Sequence, residues 1–527
     1  MARLRNKRHA LMGTLAAFAV VVLAACATTD ATTDGTTEAG TDSITEETSE
    51  NRVVTVGQNP GISQLNPNIS TLSSEKVMWN LLWDGLTTES EETGVQPELA
   101  TEWTTSEDGL TWTFSLRDDV TFHDGRAFVA DDVVKTIMFV LEPENASPQR
   151  SKLNNVMNVV AIDDTTVELT LDVATPLLPA ALVDVKIFDV DNSDKINETA
   201  NGTGPFVLDG FVPDQELSVL PNEDYWGEVP VIDGIKVVKY SDQVASRAAL
   251  ESGTIDIIWS VSFDQVSGLI DAGLTAVVPQ NPSQASTLGV DTGSPPFDDP
   301  RARQALSYAI DRVTMQAVAF GGLGELNFGS TLVSPKNEYF APDEVIDYSY
   351  DLDKAKKLFN EAGVTEGTNL VCWAGDMAPQ YRAQCEVLQQ SLAKIGITLD
   401  IEVNEGSTWA ARFYPAGKEY AGLIVPNYLS REPAPLPFVV SYFGVDGWSP
   451  SNWPGNAEYE EAKARVKSVT ATEDIRSAFA DFQRITSEEQ PTVVVMNVAQ
   501  PSIASPDLGG VWMEFNGTIH VEGAVIQ

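Results

Sequence analysis

The sequence predicts an α/β protein (mixed α+β) of two or three lobes. Short segments that alternate apolar with small polar residues, such as Leu110–Leu116 and Thr166–Leu171, interleave with segments of helical apolar spacing along the whole length. About 475 residues follow Val53, too many for one simple core. No internal repeat of roughly 20–50 residues is evident, so the strands and helices belong to packed layers.

Val53–Val56 reads as a strand, and 57–67 as a loop rich in turn residues. Ser73 or Ser74 is placed to cap a helix carrying Val77, Met78, Leu81 and Leu82. Leu110–Leu116 and Thr166–Leu171 are half-buried strands. Between them Val129–Leu141 is a helix with Asp131 and Asp132 near its positive end. Pro300–Arg312 is a helix with an apolar stripe of Ala302, Ala305, Leu306, Ala309 and Ile310. Pro300 suits its first turn, and Asp298 or Asp299 its cap. Leu352–Ala362 is a helix closed by Gly363, and Tyr381–Ile395 another ended by Gly396. The strand Ile397–Val403 follows, then helices over Glu458–Val469 and Glu473–Glu489.

The chain begins differently. Arg3, Arg5, Lys7 and Arg8 precede an uncharged, largely apolar run of 16 residues, Ala10 to Ala25, that ends in Leu23-Ala24-Ala25-Cys26. This is the layout of an export signal, and the cysteine after the small residues resembles a bacterial lipobox. The run falls short of the ~20 residues a membrane span needs. Residues 1–25 are read as a signal peptide and Cys26 as the lipid-attachment site. The protein is expected outside the cytoplasm, held to the cell membrane by lipid, on the periplasmic side or outer face. Residues 27–51 hold nine threonines, seven acids and almost no large apolar groups. They cannot bury enough surface to offset ordering entropy, so 26–51 is expected to be a disordered acidic tether.

The net charge is −43, and removal of the four basic leader residues makes it −47. Nucleic acid and anionic lipid surfaces are excluded as electrostatic partners. The acids are spread along the whole chain, as in a solvated acidic surface. With His9 lost, only His123 and His520 remain, so no His/Cys metal site, no Ser/His/Asp triad and no cofactor is expected. Nucleophile elbows, zinc-protease motifs and phosphate-binding glycine loops are missing. Cys372 lies in a strand-like stretch and Cys385 on a helix beside it; either a disulfide or two free thiols fits.

Several ordered stretches carry a resemblance. Leu99-Ala-Thr-Glu-Trp103 runs into Ser106-Glu-Asp-Gly-Leu-Thr-Trp-Thr-Phe-Ser-Leu-Arg-Asp-Asp-Val-Thr-Phe-His-Asp-Gly125, then Ala130-Asp-Asp-Val-Val134. Gly202-Thr-Gly-Pro-Phe206, Asp299-Pro-Arg-Ala-Arg-Gln-Ala-Leu-Ser-Tyr-Ala-Ile-Asp-Arg312 and Tyr350-Asp-Leu-Asp-Lys-Ala-Lys-Lys-Leu358 follow, with Glu361-Ala-Gly363, Ile395-Gly-Ile397 and Asn456-Ala-Glu-Tyr459. In this order they resemble the family 5 extracellular solute-binding proteins, which serve peptide, nickel and oligosaccharide ABC importers.

The resemblance implies a two-lobed periplasmic-binding-protein-like fold with a hinge. The first lobe would span 53–289 and 498–527, with an extra subdomain near 86–195, and the second 290–497. It implies a monomeric, non-enzymatic binder that takes a peptide or similar small polar solute and passes it to permease subunits. The alternatives are an oligosaccharide or metal-chelate binder, with a chelator held by Arg247 or Arg412, or an acid-based extracellular hydrolase. The Trp112/Phe114 strand face is expected to be core, Arg117 to pair with Asp124, and Asp299 and Arg303 to brace a helix. The pocket is expected from 59–64, the region before Gly202, 259–263 and 422–428, with Asn59, Ser63, Trp259, Ser260, Asn427, Tyr428, Trp448 and Asn452 as ligand residues. Trp409 and Trp453 are aromatic groups in the same half. Peptide binders often read Gly-Trp-x-x-Asp where this chain reads Gly422-Leu-Ile-Val-Pro-Asn-Tyr428. An ammonium-binding carboxylate is therefore replaced here by Pro426 or by Asn427, which hydrogen-bonds but forms no salt bridge.

Overall fold

Val54 and Val56 are buried on either side of a less buried Thr55, the strand Val53–Gln58 stays buried to its end, and it lies inside a seven-stranded sheet. The computed structural model describes residues 52–527, except 71–72, 91–93, 283, 414–421, 430–442, 444–450, 470–471 and 515–516. The leader, Cys26, the tether and Trp448 lie outside the described residues.

The first sheet runs in the order Thr275–Val277, Ser502–Ala504, Ile257–Ile258, Val53–Gln58, Gly234–Lys239, Glu216–Pro221, Phe206–Val212. Val53–Gln58 is parallel to both of its neighbours, and the other pairs are antiparallel. Its core holds Val54, Val56, Leu217, Val219, Ile235 and Val237. The second sheet has six strands, in the order Glu325–Leu326, Val493–Asn497, Ala285–Val290, Leu423–Leu429, Asn369–Gly375, Thr398–Asn404. The last three are mutually parallel. Its separate core holds Leu288, Val290, Leu370, Val425 and Val495. Separate cores make two lobes, and the chain crosses between the two sheets after Val277 and again after Asn497. The expected division at 289/290 falls inside the strand Ala285–Val290, which belongs entirely to the second sheet. The first crossover is finished before Ala285.

A four-stranded antiparallel sheet, Ala100–Thr105, Thr111–Leu116, Thr166–Leu171, Val156–Asp163, packs on the helix Ala130–Leu141. Its core runs from Leu86 to Ile187 and includes Trp112 and Phe114. Arg117 pairs with Asp119 at 2.8 Å and lies over Trp226, rather than pairing with Asp124. The carboxylate two residues along its own turn is nearer.

The Gly202-Thr-Gly-Pro-Phe206 turn is dictated by close approach. A Cβ on Gly202 would lie 1.9 Å from the Leu82 carbonyl oxygen, and one on Gly204 2.8 Å from that of Leu81. The expected helix 300–312 stops at Ala309. Ile310 is extended, and Asp311 caps a new helix, Arg312–Ala319, by accepting from the Thr314 N–H. Asp299 caps the first of the two, while Arg303 is buried and donates to the carbonyls of Phe297, Glu489 and Gln490. Ser73 and Ser74 sit in a 3-10 turn, so the following helix Lys76–Leu82 starts without a side-chain cap. A disulfide joins Cys372 to Cys385, tying Asn369–Gly375 to the helix Pro379–Ala393.

Candidate functional site

Parallel strands end together at one edge of a sheet, where loops expose backbone groups; open α/β sheets bind ligands outside those carboxyl ends. In the first sheet Gln58 ends opposite Lys239, and Gly57 lies opposite Ile258. In the second, Gly375 ends opposite Asn404. The antiparallel neighbours locate the crossovers. Val277 ends opposite Ser502, while Ala285 begins opposite both Leu429 and Asn497. Both crossovers therefore join the same two edges that carry the parallel strand ends. The Val498 N–H donates to the Gln284 carbonyl at 2.8 Å, so the crossovers are also bonded to each other. The space between these edges is the candidate site.

Asn59, Trp259 and Ser260 come together on the first-lobe side, because they follow adjacent strands. The exposed Asn59 donates to the Ser241 carbonyl at 3.2 Å. Trp259 is half-buried against the first core, with its N–H on the Gly57 carbonyl at 2.9 Å. Ser260 is half-buried and left-handed at φ 61°, a costly conformation for a residue with a Cβ. Ser63 is exposed, and its N–H and hydroxyl both donate to Glu75 Oε1 at 2.8 and 2.6 Å. Glu75 also accepts from Gln64 and Ser70, so this buried carboxylate shapes the 59–70 loop. Sequence reasoning missed it, since a lone acid at a helix start carries no special pattern.

On the second-lobe side Asn427 is buried at 1% exposure, near the end of its strand. Its Oδ1 accepts from the Thr287 hydroxyl at 2.9 Å and its Nδ2 donates to the Val425 carbonyl at 3.0 Å. Tyr428 follows on the same strand, opposite Ser286. Asn452 is not with them. It donates to Asp291 Oδ1 at 2.8 Å, just beyond the far end of Ala285–Val290. Six residues of strand, about 20 Å, separate it from the crossover edge. Trp409 stacks between Tyr381 and Phe413, and Trp453 packs edge-on to Phe443 and Tyr459. Both are core residues. Gly202 itself packs against the end of Lys76–Leu82.

The first lobe also buries a set of charges that the sequence did not announce. Burial pushes the Asp184 carboxyl up, but Lys152 at 2.6 Å and Lys76 at 3.1 Å outweigh it and hold the group well below the usual carboxylate range. Burial opposes protonation of His520, yet Glu522 and Glu514, at 2.5 and 2.8 Å, push its pKa up to about 10. Burial raises Asp84 to about 6 despite donors from Trp226, Thr203 and Tyr225. Among the described residues no group of three or more His, Cys, Asp and Glu side chains is arranged to hold a metal. No described helix is long and apolar enough to cross a membrane. A crevice lined by Tyr308, Asp347, Tyr350, Asp351 and Lys354 opens elsewhere on the second lobe, and no expected site residue lines it.

Comparison with known proteins gives a consistent result. Residues 94–450 match the model of the bacterial extracellular solute-binding proteins, family 5 Middle. The chain is 25% identical over 452 residues to heme-binding protein A of Haemophilus influenzae, covering 79% of this chain and 82% of that one. It is 25% identical over 496 residues to the glutathione-binding protein GsiB of Escherichia coli strain K12, covering 90% and 94%. Among solved structures, the ABC transporter substrate-binding protein CtaP from Listeria monocytogenes superposes with a TM-score of 0.79 at 22% identity, covering 90% of this chain and 100% of that one.

Proposed function

The chain belongs to the family 5 bacterial extracellular solute-binding proteins of ABC importers, and from that premise we propose that it captures a peptide or similar small polar solute between its two lobes for delivery to a membrane permease. The family consists of binding proteins, and we assign this chain no chemistry of its own; ATP hydrolysis would belong to separate subunits. The observation that carries the reading is the pairing of strand-end edges across two crossovers, with Asn59, Trp259 and Ser260 on one edge and Asn427 and Tyr428 near the other. Ligand preference for the closed arrangement would then drive hinge closure.

The proposed extent of the lobes is 53 to about 284 with 498–527, and about 285 to 497. Cys26 is the proposed lipid anchor and 26–51 the leash that leaves the lobes free to open near a permease. Cys26→Ser is expected to move the protein from the membrane to the soluble fraction with the ligand affinity of its folded part unchanged.

Mass spectrometry of solute retained by the natively purified protein tests the reading. Short peptides are the expected result. Oligosaccharide or a metal chelate would replace the ligand class, and a covalently altered solute would overturn the non-enzymatic assignment.

A further inference from the structure

The helix Phe263–Asp271 belongs to the first lobe by chain position, yet its two ends serve different cores. Val266 and Leu269 pack with Leu250, Ile255, Ile258, Val261 and Ile503, beside the first sheet. Phe263, 1% exposed, instead belongs to the core of the second lobe. There its ring meets Phe320 edge-to-face, with centroids 5.3 Å apart and planes at 81°. The fit against the second lobe is close. A Cβ on Gly321 would lie 2.8 Å from the Phe263 carbonyl oxygen. Leu323 packs against both cores.

The four residues before Phe263 are fastened to the first sheet and to the returning crossover. The Trp259 N–H donates to Gly57, and the Val261 N–H to Pro501 at 2.7 Å. The Val261 carbonyl accepts from Gln500 Nε2 at 2.8 Å, and the Ser262 N–H donates to Gln243 Oε1 at 3.3 Å. The segment 259–262 is thus bonded on one side to the first lobe, and its next side chain is sunk into the second. This is a non-covalent connection between the lobes in addition to the two crossovers. An aromatic ring in an apolar socket gains most from burial, which is non-directional, with a smaller preference for the edge-to-face geometry, so it tolerates small rotations but resists withdrawal.

We propose that Phe263 is the pivot on which the two lobes turn, and the positioning residue that keeps the cleft segment Trp259–Ser262 registered against the second lobe. Opening is then a rotation about the line through the crossovers and this socket, with no separation of the lobes at Phe263. Ser260, the left-handed residue of the segment, takes the backbone turn between its fixed start and the plugged side chain.

This inference rests on the two-lobed solute-binding reading, but its test uses no solute. Failure of one is therefore distinguishable from failure of the other. Amide hydrogen exchange is measured on the purified mature protein and on Phe263→Ala, Phe320→Ala and Phe263→Leu. Phe320 lies on the other lobe and meets the Phe263 ring edge-to-face. Both alanine variants are expected to speed exchange of 259–262 about tenfold, with Val53–Gln58 and Val493–Asn497 unchanged. Phe263→Leu, which keeps an apolar plug and the fold, is expected to give a smaller rise in the same segment. Phe320→Ala leaving 259–262 at the parent rate overturns the proposal. So does a rise spread evenly over both sheets, or a Phe263→Leu variant that exchanges like the parent.

Discussion

His520 stands where the returning C-terminal segment meets the first lobe, and it makes the stability of that junction depend on pH. The ring is 3% exposed, stacks on Trp512 at 3.8 Å between centroids, and donates to Glu514 and Glu522. Its pKa rises from 6.5 to about 10 on folding. A raised histidine pKa means the folded state binds the proton more tightly than the unfolded chain does. The stabilisation is therefore complete below about pH 6.5 and is lost as pH climbs through about 10. The shift corresponds to at most about 5 kcal/mol at 1.36 kcal/mol per unit, an upper bound, since the two carboxylates relax once the proton leaves. His520→Asn keeps a side-chain hydrogen-bond donor but carries no titratable charge. Guanidinium unfolding followed by tryptophan fluorescence, from pH 6 to 10.5, is expected to show parent and variant furthest apart at the acid end. The gap should narrow by several kcal/mol toward pH 10. A gap that stays constant across this range refutes the reasoning, because the buried imidazole would then be neutral and its partners merely packed.

Other expectations follow from the same geometry. Replacing Cys372 and Cys385 together by alanine opens a loop with a sequence separation of 13 and is expected to cost about 3 kcal/mol, read as a lower guanidinium midpoint; an unchanged midpoint contradicts it. Gly202→Ala forces a Cβ onto the Leu82 carbonyl and should cost about 3 kcal/mol or prevent folding, whereas a parent-like melting temperature would show that the turn moves freely. Asn427→Ala leaves the buried Thr287 hydroxyl without its acceptor, an expected loss of about 1–3 kcal/mol. Isothermal titration with the retained solute should also show weaker binding, and unchanged affinity removes this strand from the site. Trp259→Ala should lower that affinity at least tenfold with far-ultraviolet dichroism intact, and parent-like binding would move the site away from the first-lobe edge.

Local features were legible because their causes are local. The apolar spacing of Ala302, Ala305 and Leu306 and the acid before Pro300 define their helix and its cap, and both formed. The alternation in Thr111–Leu116 puts Trp112 and Phe114 into a core, as expected. The break at Ile310 was not legible, since Ile310, Asp311 and Arg312 continue a good helical pattern. Buried Arg312 donates to the carbonyls of Val494, Val495, Ser307 and Tyr348. Those partners come from segments some 180 residues apart in the chain, so no local window contains the reason for the turn.

The candidate site divides the same way. Asn59 and Trp259, which the family resemblance implied, follow adjacent strands of the first sheet. Asn452 and Trp453 looked equivalent to them as amide and aromatic groups, yet one lies at the far edge of its sheet and the other in a core. The mixed α+β class and the order of most elements were legible in the sequence because apolar period and caps act over a few residues, and the ordered motifs carried the family resemblance. Which strand ends share an edge, which polar groups are buried with partners, and that Phe263 crosses into the other lobe were decided only by the tertiary structure. Each of these depends on pairings between distant segments, whose energies no single stretch of sequence carries.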